Sequence, residues 1–73
     1  MPVGGRSVLS TRQLEIGRLL VKGKSAKEIA YSLGISIHTC NEHIRILYAK
    51  LGVGTRGECV ARLVRLEEAE TES

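Results

Sequence analysis

The sequence predicts an all-α fold, a compact four-helix domain with a central helix-turn-helix. Three observations carry this expectation. Apolar residues recur at helical spacing along most of the chain, and no stretch alternates as a strand would. A Ser or Thr stands just ahead of each periodic run, and in three of the four a Glu or Gln follows three residues later. A Gly closes each of the first three runs.

Ser10 opens the first helix, and Gln13 supplies the reciprocal half of a capping box. Leu14, Ile16, Leu19, Leu20 and Val21 are its apolar positions, and Gly23 ends it. Gly17 lies inside this helix and costs about 1 kcal/mol relative to Ala. It is either the site of a close helix–helix approach or a tolerated defect. Arg12, Arg18, Lys22 and Lys24 read mostly as solvated charges.

Ser25 caps the second helix, again with a partner, Glu28, three residues on. Ala26, Ile29, Ala30 and Leu33 form its apolar stripe, and Gly34 ends it. Lys24 and Lys27 flank the start of this helix, where cations oppose the helix dipole. A phosphate bound nearby would explain them. A plain charged surface explains them equally well.

Ser36 caps the third helix. Ile37, Cys40, Ile44, Leu47, Tyr48 and Leu51 share one side of it at about 100° per residue. The opposite side carries His38, Glu42, Arg45, Ile46 and Ala49, with Asn41 on its edge. Helix, short Gly-containing turn and second helix make a helix-turn-helix, a form whose second helix lies in a DNA major groove. Gly52 ends this helix, and Leu51 to Thr55 is a tight connector. Thr55 and Glu58 begin the fourth helix, with Cys59, Val60, Leu63, Val64 and Leu66 as its apolar face. The expected organisation is a flexible arm over 1–8, a helix-turn-helix domain over 9–66 and an acidic C-terminal tail over 67–73. Arg6, in the arm, reads as solvated charge ahead of a groove contact.

Composition narrows the class. A chain of 73 residues buries only a modest core. Apolar residues make up 42% and charged residues 26%, so it folds. Aromatics are 3%, too few for a platform that stacks single-stranded bases, and duplex is the better expected partner. The net charge of +3 understates the body of the domain. Residues 1–66 hold all 11 Lys and Arg against four carboxylates, or +7, which favours a polyanion. No apolar run approaches a membrane span, and the start has no signal-peptide core, so a cytoplasmic, nucleoid-associated protein is expected. Two cysteines make no disulfide framework. No phosphate-loop, zinc-protease or nucleophile-elbow motif occurs, no nucleophile–base set is visible, and so short a chain offers little pocket. The expectation is a non-enzyme with no cofactor, no metal and no small-molecule ligand.

The residues then carry a resemblance. Leu9-Ser10-x-Arg12, the run Gly23-Lys24-Ser25-Ala26-Lys27-Glu28-Ile29-Ala30, Leu33-x-Ile35-Ser36-x-x-Thr39, His43, and Lys50-Leu51-Gly52-Val53-x-x-Arg56-x-Glu58 resemble the LuxR/GerE-type DNA-binding domain over roughly residues 9–66. The resemblance implies a bacterial transcription regulator. It implies base reading by Asn41, Glu42 and Arg45, and phosphate contacts by Thr39, Lys27 and Lys50, which join Lys24. It implies a homodimer through the fourth helix, with Cys59, Leu63 and Leu66 as candidate interface residues. The same three could equally pack the monomer's core. RNA polymerase is a further expected partner.

Some positions depart from the family pattern. Val is usual at Cys40, a basic residue at Asn41, Leu at Gly17 and Glu at Gln13, and Ile46 takes a commonly polar place. The target sequence is therefore expected to differ from a typical relative's. Relatives often carry a receiver or ligand-binding domain ahead of this one, and the initiating Met and acidic end favour a stand-alone regulator over a fragment.

Sharper readings of single residues weigh less. His38 and Cys40 lie about 160° apart on a helix, so His38, Cys40 and His43 do not converge on one metal ion. His43 is expected half-buried and bonded to backbone or phosphate. Cys40 reads as inert packing, and Cys59 as packing ahead of a redox bridge. Ile46 could meet a thymine methyl or a protein partner, or simply be exposed. The alternative function is a protein-interaction module, an adaptor or antagonist that pairs with another regulator. Loss of a basic residue at Asn41 and the negative charge of Glu42 lend it weight.

Overall fold

Each helix starts where a hydroxyl takes the place of the missing preceding turn. The computed structural model describes residues 9–72, with side chains through residue 69. The expected arm over 1–8, Arg6 included, lies outside the described residues. Four helices follow in order: α1 Thr11–Val21, α2 Ala26–Leu33, α3 Ile37–Leu51 and α4 Arg56–Glu72. The described residues contain no strand.

Two of the three expected capping boxes form as the spacing predicts, and Ser36 caps α3. Ser10 Oγ accepts from Gln13 N at 3.1 Å, while Gln13 Oε1 accepts from Ser10 N at 3.0 Å. Ser25 and Glu28 repeat this box at 3.1 and 2.9 Å. Ser36 Oγ accepts from Thr39 N at 3.0 Å. At α4, Thr55 Oγ1 accepts from Glu58 N at 3.2 Å, but the Glu58 carboxylate takes Gly54 N at 2.9 Å. The box there closes one residue early and holds the connector.

The turn of the helix-turn-helix rests on Gly34, at φ 70°. A side chain would be strained in that left-handed conformation. With it, Gly34 N reaches Tyr31 O and Ile35 N reaches Ala30 O, which satisfies two end carbonyls of α2 and turns Ile35 inward. The same pair of bonds ends α1 at Gly23-Lys24 and α3 at Gly52-Val53.

α1 and α3 each pack on all three other helices, and the α2–α3 seam is the most extensive. The core is Leu9, Ile16, Leu20, Ile29, Ala30, Cys40, Leu47, Leu51, Cys59 and Leu63. Each buried Leu or Ile contributes roughly 1.5–3 kcal/mol. At Gly17 α4 lies close against α1: a Cβ there would lie 3.1 Å from Leu63 Cδ1. The glycine is thus the site of a close approach.

Three expected apolar positions face outward. Leu14 is 40% exposed because the buried side of α1 is Gln13, Ile16, Gly17 and Leu20. Ile37 is 49% exposed because it stands a turn before Cys40, where the core begins. Leu66 is 44% exposed because α4 has passed the core by then. The α4 backbone stays helical through Glu72, so residues 67–72 of the expected tail prolong the helix.

Candidate nucleic-acid interface

The packing of α3 decides which of its side chains face outward. Cys40, Leu47 and Leu51 are buried against α1, α2 and α4, and His43, Ile44 and Tyr48 are half-buried beside them. The remaining arc carries His38, Asn41, Arg45, Ile46 and Ala49, all exposed, with Glu42 half-buried among them. The expected base-reading residues therefore share one open face.

Arg45 is not free in the unbound protein. Its Nη2 lies 2.8 Å from Glu42 Oε2, an i,i+3 ion pair in which the arginine side chain is 73% exposed. So exposed a pair is worth under about 1 kcal/mol. A bidentate arginine–guanine contact is worth about 1–3 kcal/mol. Glu42 can orient the guanidinium without locking it.

The phosphate candidates are all exposed. Ser36 Oγ donates to Thr39 Oγ1 at 3.0 Å, so Thr39 keeps its own hydroxyl proton for an outside acceptor. Lys50 is exposed on the same edge of α3, eleven residues further and roughly 16 Å along the axis. Its Nζ donates to Gln13 Oε1 at 3.2 Å. Lys24 and Lys27 are exposed at the start of α2. The Lys24 backbone is fixed at both ends, by Lys24 N to Leu19 O at 3.0 Å and by Arg56 Nη2 to Lys24 O at 2.6 Å. Within the same turn, Glu28 is held ionised below its ordinary range, first by the backbone N–H of Ser25 and then by the charge of Lys24.

Two arginines that counted toward the basic surface bond backbone carbonyls outside α4. Arg56 Nη2 also donates to Leu20 O at 3.3 Å, which ties the start of α4 to the end of α1. Arg62 Nη1 donates to Leu51 O at 3.0 Å, at the end of α3. Leu51 O is a carbonyl that the end of α3 leaves open, whereas Leu20 O already accepts from Gly23 N at 2.9 Å. Gln13 was legible as a cap but not as a buried residue, and it is 6% exposed. Tyr31, 90% exposed, stands off the apolar stripe of α2, and that offset was a readable signal.

The proposed α4 contacts divide. Cys59 and Leu63 are 0% and 7% exposed within the single chain, where Leu63 packs against Gly17, and Leu66 alone of the three reaches the surface. Burial pushes the thiols of both Cys40 and Cys59 up, so neither is an activated nucleophile. Cys40 faces the core while His38 faces solvent, so the two point to opposite sides of α3. His43 is half-buried as expected, but its Nδ1 has no hydrogen-bond partner among the described residues. Of the two expected partners, backbone and phosphate, the backbone does not bond this nitrogen. No described helix is long and apolar enough to cross a membrane.

Comparison with known proteins agrees with the helix-turn-helix reading. The model of the bacterial regulatory proteins of the luxR family matches residues 7–63. The chain is 42% identical over 65 residues to the spore germination protein GerE of Bacillus subtilis (strain 168), which covers 89% of this chain and 88% of that protein. It is 40% identical over 60 residues to the HTH-type transcriptional regulator MalT of Yersinia pestis (strain Pestoides F), and likewise to that of Yersinia pseudotuberculosis (strain IP 31758). Those matches cover 82% of this chain but only 7% of either regulator.

Proposed function

This chain belongs to the luxR family of bacterial regulatory proteins, which are DNA-binding transcription regulators, and from that premise we propose that it is a sequence-specific duplex binder. It inserts α3 in the major groove and reads bases with Asn41, Glu42 and Arg45. The observation that carries the reading is the open arc of α3, polar at its centre and backed by a core that fixes its orientation. Arg45 forks onto guanine O6 and N7, Asn41 pairs with adenine, and the Glu42 carboxylate accepts from cytosine N4. Thr39, Lys24, Lys27 and Lys50 hold phosphates on either side and set the register.

One helix reads only a few base pairs, so the working form is a homodimer on two half-sites about one helical turn apart. Its interface is the outer face of α4 around Leu66. The protein acts in the cytoplasm on the nucleoid, where RNA polymerase is its further partner.

The test is selection of bound duplexes from a random pool, followed by titration of the selected sequence at rising salt. A selected sequence with two-fold symmetry is expected, and affinity should fall steeply as salt rises, with a slope of about −0.9 per phosphate neutralised. Lys27→Ala should weaken all duplexes alike. Binding indifferent to salt would overturn the reading and leave the adaptor alternative standing.

A further inference from the structure

Three helix starts in this chain use the same reaching side chain, but not the same charge. Glu28 and Glu58 serve α2 and α4, whereas Gln13 serves α1. Gln13 is also the buried polar side chain of the described core, at 6% exposure. Its Oε1 accepts twice, from Ser10 N at 3.0 Å and from Lys50 Nζ at 3.2 Å. Two donors converge on that atom, which identifies it as the oxygen of the carboxamide.

The consequence falls on Lys50. A lysine ammonium on a flexible stem loses rotamer freedom when it grips a phosphate. Here one of its three N–H groups is already engaged by a residue 37 positions away on another helix, and two remain to donate. The partner is neutral, so the tether positions the charge without cancelling it. A carboxylate at the same place would cap α1 equally well, as Glu28 does for α2, but would pair with the ammonium and compete with a phosphate for it.

We propose that Gln13 is a positioning residue for DNA-backbone contact, presenting Lys50 to a phosphate as an ordered and undiminished positive charge. It joins α1, which reads no bases, to the edge of α3 that Thr39 and Lys50 share. This rests on the reading that Lys50 meets DNA, and the experiment separates the two.

The probe is a short random-sequence duplex, because backbone contacts do not depend on sequence. Its affinity is measured by fluorescence anisotropy from low to physiological salt. Gln13→Glu keeps the cap and should melt no lower than the wild type. Its plot of log K against log salt should be shallower, by a part of the roughly 0.9 that one phosphate contributes. Lys50→Ala, a change at an exposed residue, should flatten the plot by the whole of it. A merely structural role for Gln13, a cap that Glu preserves, would leave the slope alone. A Gln13→Glu protein with the wild-type slope overturns the proposal. So does a Lys50→Ala protein with the wild-type slope. If the wild type itself binds duplex without salt dependence, the DNA-binding reading fails first and carries this one with it.

Discussion

Arg45 and Glu42 meet at 2.8 Å on the outer face of α3, and that pair frames what each residue does. If Glu42 selects bases, Glu42→Ala should raise affinity for random DNA and relax preference at one base pair. If it only orients Arg45, the variant should lose affinity on the selected site and gain none elsewhere. Arg45→Ala should cost about 1–3 kcal/mol on the selected site and much less on random sequence. Equal losses on both would show that Arg45 holds backbone. Glu28 supplies a test of a different kind. Its pKa lies below the ordinary value of 4.5, chiefly through the Ser25 backbone N–H. A depressed acid contributes stability above its unfolded pKa and loses it as pH falls through the folded one. Denaturant midpoints should therefore fall as pH drops from neutral to below 4.5, and Glu28→Gln should flatten part of that decline.

Packing of α4 on α1 depends on one missing side chain and one long one. Gly17 lets Leu63 reach within contact of the α1 backbone, so Gly17→Val should overfill that seam and destabilise by about 1–3 kcal/mol. Gly17→Ala pits about 1 kcal/mol of helix propensity against a 3.1 Å contact, and the two effects should nearly cancel. Arg56 joins the same two helices through Leu20 O and Lys24 O. Arg56→Ala should cost about 1.5–3 kcal/mol, the range for hydrogen bonds made by a charged group. Because Lys24 O is one of its acceptors, that variant should also loosen the start of α2. Thermal melts, with hydrogen exchange at residues 22–28, check both.

At the scale of the molecule, the 34 × 23 × 20 Å body divides α4 into an anchored half and a projecting half. Cys59 and Leu63 lie in the first, and every residue from Arg65 to Ala69 is exposed in the second. Leu63→Asp should therefore unfold the chain, and circular dichroism would record the loss of helix. Leu66→Asp should leave circular dichroism unchanged and shift sedimentation from dimer to monomer. A wild-type protein that saturates a single half-site as a monomer would exclude the dimer.

What depends on neighbours within one helical turn was legible in the sequence, the bond of Glu58 to Gly54 N apart. Ser10, Ser25, Ser36 and Thr55 start their helices, Gly23, Gly34 and Gly52 end them, and the arc of Asn41, Glu42 and Arg45 follows from a period of 3.6 residues. These are interactions over three or four positions, so spacing alone encodes them. What the tertiary structure decided involves partners far apart along the chain. Arg56 reaches back 36 residues to Leu20, and Lys50 reaches back 37 to Gln13. Net charge counted those cations alike, but only the path of the chain places one against Leu20 O and the other against Gln13 Oε1. The same holds for Cys59, Leu63 and Leu66. One apolar stripe on α4 holds all three, and the position of α1 buries two and leaves the third in solvent, because a helix's period says which residues share a side but not how far along it the core extends.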